Sequence, residues 1–388
     1  MGFMKSFEFI TSSRMMFGNG VLPEGIKAAA GFGKKALLLY SPKGASTDQV
    51  LTFCANNEIS VEQYPVEHEP TVNLVQTIVD YARKTNCEFV IAFGGGSVID
   101  AGKAVSAMLT NEGDLLDYLE VVGNNRPLTK PAASCVAVPT TAGTGAEVTR
   151  NAVLSVPEKQ VKVSLRSTYI LPRLAIIDPE LTLGLPPAIT AYTGLDALTQ
   201  VIEPYVSKRY NPMIDVLCRD GIIRSARSLK KAFYNGNDQN ARYDLSLTSL
   251  YGGLALTNAG LGAVHGFAAP IGGMYNAPHG AICGILLPYT VDINIKALMT
   301  REPENQTLER YKEIAKLLTG NPEADLLDGV VFLQDLIIEL KIPRLRTYGI
   351  QKDDFSTIVD KAQNASSMKA NPINLTTDEL IKILEAAY

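Results

Sequence analysis

The hydrophobic pattern changes period partway along the chain, and that change limits the fold more than any single motif does. Up to about residue 185, short continuous apolar runs alternate with stretches of helical spacing. Residues 36–40 form one such run, closed by Ser41, Pro42 and Gly44; others lie at 88–93 and 135–139, and Ser60 to Tyr64 reads as a further strand, closed by Pro65 and Pro70. Helical spacing fills the intervals to about Asn57, over 72–85 and over 98–110. Strands buried on both faces read as continuous apolar runs, and strands separated by helices build a parallel sheet. Beyond Leu185, Pro186 and Pro187 the strand-like runs stop. Helical spacing then covers 188–205, 212–234, 243–260, 306–319, 325–340 and 375–387. The expected architecture is an α/β, doubly wound parallel-sheet domain over residues 1–185, followed by an all-helical domain over 186–388.

Composition removes several functions. Hydrophobic residues make up 46% and charged residues 20%, which suits a globular protein with a large core. A net charge of −4 gives no basic footprint, so nucleic acid is not the expected partner. No uncharged apolar run reaches the roughly 18 residues of a membrane span, and the N-terminus lacks the apolar core of a secretory signal. No membrane association is expected. Cys54, Cys87, Cys135, Cys218 and Cys283 are scattered and odd in number. They predict reduced thiols in a cytoplasmic enzyme, most of them packed as small core hydrophobes.

Two glycine-bearing turns follow predicted strands. Gly94, Gly95, Gly96 and Ser97 lie between the run 88–93 and a helical stretch opening near Val98. Glycines let a ligand approach the backbone, and a helix N-terminus offers unpaired N–H groups, so the segment suits a phosphate. Ser97 is placed to cap that helix. The same composition also suits a plain strand-to-helix turn, and it is not the G-x-G-x-x-G fingerprint of an ordinary Rossmann dehydrogenase. Thr140, Thr141, Thr144 and their glycines follow the run 135–139, where ligand loops of open α/β sheets sit.

The helical half carries a metal-like constellation. Asp196 and Gln200 are four apart and so share one helix face. His265 and His279, two of only three histidines, lie fourteen apart in a segment crowded with glycine and proline, read as turns flanked by helices. A lone histidine is usually a satisfied core residue. Two histidines with an aspartate suit a divalent first-row ion.

Taken in order, GGGSVIDAGKA (94–104), PTTAGTGAEVT (139–149), DP (178–179), TGLDALTQ (193–200), LGAVHGFAAPIGG (261–273) and PHG (278–280) resemble the motifs of the iron-containing (group III) alcohol dehydrogenases. The resemblance implies a dehydroquinate synthase-like fold, an NAD(P) cofactor and a divalent metal in the interdomain cleft. The metal is Fe²⁺ by family, with Zn²⁺, Mn²⁺ or Ni²⁺ as alternatives. By position, it implies that Gly95, Gly96 and Ser97 hold the pyrophosphate and that Thr140, Thr141 and Thr144 bind the adenosine side. Lys162 falls by the ribose, Thr182 by the nicotinamide half and Asp100 near the reacting end. Asp196, His265 and His279 match three of four metal ligands, with Gln200 at the fourth. Asn151, Leu256, Phe267 and Lys369 are expected as pocket walls. Asp100, Asn151, Lys162 and Phe267 are therefore the expected catalytic-site residues. The substrate is a small-molecule alcohol or aldehyde, and the family implies a homodimer.

Two positions depart from the family pattern. Gln200 stands where a histidine is usual, which weakens the expected metal site, although the Asp-Ala-Leu-Thr-Gln form occurs in some branches. Ala269 replaces a histidine four residues after His265, which predicts a roomier, more apolar pocket. The implied chemistry is hydride transfer assisted by a metal acting as a Lewis acid. Ser41, with Lys43 behind it, stands where a carboxylate would grip the ribose of NAD, so NADP is the expected preference. The rival readings are a metal-free nucleotide-binding relative and a sugar-phosphate cyclase-like lyase.

Overall fold

The computed structural model describes residues 6–159, 161–275 and 277–388. The N-terminal half runs β1 (Met15–Phe17), α1 (Leu22–Ala29), β2 (Lys35–Tyr40), α2 (Asp48–Asn56), β3 (Ser60–Pro65), α3 (Val72–Lys84), β4 (Phe89–Gly94), α4 (Gly96–Thr110) and β5 (Cys135–Pro139). A hairpin, β6 (Asn151–Val156) and β7 (Val161–Arg166), precedes β8 (Leu174–Ile177). Six strands form one parallel sheet in the order β1-β8-β5-β4-β2-β3, and the hairpin pairs antiparallel on its own. All six residues of β4 are buried, as a central strand covered by helices on both faces requires. The chain winds outward in opposite directions from β2 and β4. Their carboxyl ends therefore flank the switch point at which ligands of such sheets bind.

The four strands expected between 36 and 139 are present, whereas β1, β8 and the hairpin carried no distinct signal. The first two are only three and four residues long, and β6 alternates in burial because one of its faces is partly open. Lys103 anchors the hairpin from beneath. It has no exposed surface, pairs with Asp100 at 2.8 Å, and donates to Ala146 O, Thr149 Oγ1 and Asn151 O. Those partners offset the cost of burying an ammonium group.

The C-terminal half is all helical: α5 (Pro187–Val206), α6 (Pro212–Tyr234), α7 (Gln239–Ala259), α8 (Ala263–Met274), α9 (His279–Arg301), α10 (Thr307–Thr319), α11 (Leu326–Glu339), α12 (Phe355–Asn364) and α13 (Thr377–Ala387). Its core gathers Leu195, Leu198, Tyr205, Phe267, Leu286 and many more. The segment expected to be turns is instead α8 and α9, with Pro270 and Pro288 inside them. Its glycines serve close approach rather than turning: a side-chain carbon on Gly280 would lie 2.2 Å from Tyr192 O, and one on Gly284 2.7 Å from Leu195. Helix α9 is also long and apolar enough to cross a membrane, which the run-length reading missed. Here 72% of its apolar window is buried among the other helices.

Candidate active site

The cofactor side is built from backbone. Gly95 is the N-cap of α4 and supplies no side-chain cap, so Ser97 sits inside the first turn; the expectation that Ser97 caps the helix is corrected. Val98 N–H turns back to Gly95 O at 3.0 Å, while the N–H groups of Gly96 and Ser97 precede any intrahelical acceptor and lie at the positive end of the helix. The two glycine-bearing loops meet there. A side-chain carbon on Gly96 would lie 2.9 Å from Thr144, and one on Gly95 3.3 Å from Thr141 Oγ1. Thr140 N–H donates to Gly94 O at 3.0 Å, tying the ends of β4 and β5 together. Gly145 takes φ +59° and packs backbone to backbone on α7, where a side-chain carbon on Gly253 would lie 2.3 Å from Gly145 O.

The other expected cofactor contacts have varied settings. Thr182 is buried, donates to Pro179 O at 2.7 Å, and lines a small polar recess with Thr141, Glu147, Asp178 and Ser249. Burial pushes the Glu147 carboxyl up to about 7. Ser41 is half-buried at the end of β2, and Lys43 is exposed. Asp100 has one oxygen on Lys103 and the other accepting Val153 N–H at 3.0 Å. Lys162 pairs with Glu69 at 2.6 Å and lies over Gly272 of α8. Asn151 and Leu256 are partly exposed and Lys369 is exposed.

The metal side is built from side chains. Asp196 comes from α5, His265 from α8 and His279 from α9. Asp196 Oδ1 stands 3.3 Å from His265 Nε2 and 3.7 Å from His279 Nε2. Cys283 joins them, with Sγ 3.8 Å from His265 Nε2 and 3.6 Å from His279 Nε2. All four potential ligand atoms lie within 4.8 Å of one another. Glu203 accepts from His265 Nδ1 at 2.7 Å and from Val264 N–H at 2.7 Å. A carboxylate on Nδ1 fixes the tautomer and leaves the Nε2 lone pair facing the cluster. Burial disfavours charge on His265, but Cys283, Asp196 and Glu203 outweigh it and keep its pKa well above the ordinary value. Burial likewise opposes charge on Asp196, and the two histidines outweigh it and hold its carboxyl low. Asp196, His265 and Cys283 are buried and His279 is partly exposed, and a carboxylate, two imidazoles and a thiol with converging lone pairs fit a divalent ion.

Gln200 shares the Asp196 face of α5, but its Nε2 donates to Gly143 O at 2.9 Å, joining the metal-bearing helix to the Thr140–Gly145 loop. Phe267 is corrected as a pocket wall: it has no exposed surface and packs in the helical core. Because the segment is helical, Phe267 projects about 200° around α8 from His265. Ala269, one turn from His265 on the same face, is exposed. Cys283 and Glu203 were not singled out from sequence. Their signals were spacing alone, Cys283 four residues after His279 and Glu203 seven after Asp196, and the first has meaning only once α9 is known to be a helix.

Comparison with known proteins agrees with this arrangement. Residues 12–179 match the model for "Iron-containing alcohol dehydrogenase" and residues 190–388 that for "Fe-containing alcohol dehydrogenase family, C-terminal". Alcohol dehydrogenase 4 of Schizosaccharomyces pombe is 34% identical over 385 residues, covering 98% of this chain and 88% of its own. The NADPH-dependent butanol dehydrogenase of Clostridium saccharobutylicum is 34% identical over 373 residues, covering 92% of each chain. The crystal structure of a 1,3-propanediol oxidoreductase superposes with a TM-score of 0.91 at 33% identity, covering 99% of this chain and 100% of its own. With both halves matched and the same two-part fold, the chain belongs to the iron-containing alcohol dehydrogenase family, and it is an alcohol dehydrogenase-type oxidoreductase.

Proposed function

We propose that the protein transfers hydride between NAD(P) and a small alcohol/aldehyde pair, with one divalent ion held by Asp196, His265 and His279. The observation that carries this reading is the convergence of those side chains one hydrogen bond, Gln200 to Gly143, away from the loop that packs on the α4 N-terminus. The ion supplies Lewis acidity at the substrate oxygen and the nicotinamide accepts or delivers hydride. Asp196 brings the negative charge that retains a dication, and Glu203 keeps the His265 Nε2 lone pair turned inward. The N–H groups of Gly95, Gly96 and Ser97 hold the pyrophosphate, while Thr140, Thr141 and Thr144 bind the adenosine side. Lys162 lies by the ribose, Thr182 by the nicotinamide half, and Asp100 and Asn151 near the reacting end. Exposed Ala269 forms an apolar wall that admits substrates beyond the smallest alcohols.

NADP is the preferred cofactor on this reading, because Ser41 places no carboxylate against a 2′-phosphate; a relative named for NADPH dependence is in line with it. The family favours Fe²⁺ as the ion. We also place the enzyme in the cytoplasm as a homodimer. The deciding experiment is an aldehyde and alcohol panel with NADH, NADPH, NAD⁺ and NADP⁺ after loading with Fe²⁺, Zn²⁺, Mn²⁺ or Ni²⁺. Substrate-dependent oxidation of NADPH that a chelator abolishes is expected. Dinucleotide binding without turnover under every metal overturns the reading.

A further inference from the structure

We propose that Cys283 is a protein ligand of the metal centre, so that the chain binds its ion through an Asp/His/His/Cys set that favours zinc over iron. The inference rests on the reading above that the Asp196 cluster holds a metal. Distances carry it. Zinc takes nitrogen and oxygen donors at about 2.0–2.1 Å and thiolate sulfur at about 2.3 Å in a tetrahedron, so the edges between ligand atoms run roughly 3.3–3.6 Å. Four edges are available here: 3.3 Å from Asp196 Oδ1 to His265 Nε2, 3.7 Å from Asp196 Oδ1 to His279 Nε2, and 3.8 and 3.6 Å from Cys283 Sγ to the same two nitrogens. Each lies within about 0.2 Å of that range, and an ion drawing its donors inward shortens them further.

The supporting groups agree. Glu203 occupies His265 Nδ1, so Nε2, the nitrogen beside Cys283 Sγ, is the one free to bind. His279 and Cys283 are four apart on the first two turns of α9 and share one face. Cys283 has no exposed surface, yet its sulfur sits among the polar ends of three side chains rather than in a purely apolar cavity. Gln200, by contrast, commits its amide nitrogen to Gly143 O, which can only accept; that bond gives the residue a bridging task between the two halves. A histidine missing from α5 is thus made good by a thiol from α9, and the substrate oxygen of the proposed reaction would join as a fifth donor, an expansion that catalytic zinc sites make. Coordination releases the Cys283 proton to solvent and leaves a thiolate, a soft donor that suits zinc better than iron, and zinc also lies above iron in intrinsic affinity for such sites.

The test strips the full-length protein with a chelator and reloads it with Co²⁺, whose absorption reports its ligands. Wild type should bind one Co²⁺ per chain with tetrahedral visible bands and a near-ultraviolet thiolate-to-cobalt charge-transfer band. Cys283→Ser should keep the cobalt and lose the charge-transfer band. In competition with a chromophoric chelator, Cys283→Ser should bind Zn²⁺ at least tenfold more weakly than wild type, with a smaller change for Fe²⁺. Stoichiometric cobalt without a charge-transfer band in wild type overturns the role of Cys283 and leaves the metal-centre reading standing. Failure to bind cobalt at all overturns both. The wild-type spectrum needs no variant, so a poorly folded Cys283→Ser protein does not blunt the test.

Discussion

The two walls of the cleft are made of different material. On the α/β side, Gly95, Gly96 and the Thr140–Gly145 loop present backbone N–H groups and small hydroxyls, and position follows from where strands end and helix α4 begins. On the helical side, Asp196, His265, His279 and Cys283 reach one point from three helices. A backbone-built wall needs residues that stay out of the way. A side-chain wall needs donors that converge, and it can exchange one donor for another if a neighbouring helix supplies a replacement. On the proposal made above for Cys283, such an exchange lets Gln200 stand where a ligand histidine is usual in a family that this chain matches over nearly its whole length.

The two walls should therefore fail differently. The largest effect is expected from His265→Ala with His279→Ala. Losing two donors removes metal retention and lowers kcat/KM by about a hundredfold or more, since a bound metal contributes several kcal/mol to such chemistry. Dinucleotide binding, followed by NAD(P)H fluorescence, should survive. A double variant with wild-type kcat breaks the division.

Gly96→Ala tests the opposite wall. Its new carbon would fall 2.9 Å from Thr144, in the space a pyrophosphate needs. Overpacking of about 1.5 kcal/mol predicts roughly tenfold weaker dinucleotide binding. Metal content, measured after dialysis, should not change. Equal loss of metal and nucleotide would mean that the walls are not independent.

The smallest effect is specificity. Ser41→Asp places a carboxylate at the end of β2 and should shift the NADP-to-NAD ratio of kcat/KM about fivefold toward NAD, the size of a partly screened repulsion near 1 kcal/mol. Wild-type preference for NAD would remove the premise.

Legibility in the sequence follows the same division. Gly94–Ser97 and Thr140–Gly145 could be located because each directly follows a buried apolar run in the sequence, and the central strands and several of the long helices stood out by period alone. The helical side was legible in its residues but not in its local structure. Pro270, Pro278 and five glycines in 262–280 looked like turn formers, whereas the fold uses glycines such as Gly280 to bring helix backbones together. Reading that segment as turns hid the helical spacing of His279 and Cys283, and the resemblance alone could not show that Phe267 turns into the helical core. The short strands β1 and β8 had too few residues to show a period, and Glu203 gave no sign until the partner histidine was placed beside it.

At the contact between Gly145 and Gly253, no side chain separates the loop from α7, and the two backbones touch. The halves of the enzyme thus meet there without a cushion of side chains. The same seam is also tied where Gly145 N–H donates to Ser249 Oγ and Gln200 Nε2 to Gly143 O, so the halves meet along a line of contacts rather than at one point. A methyl group on Gly145 would fall 2.5 Å from Ser249 O and one on Gly253 2.3 Å from Gly145 O, so thickening either glycine would push the two walls apart and disturb nucleotide side and metal side together.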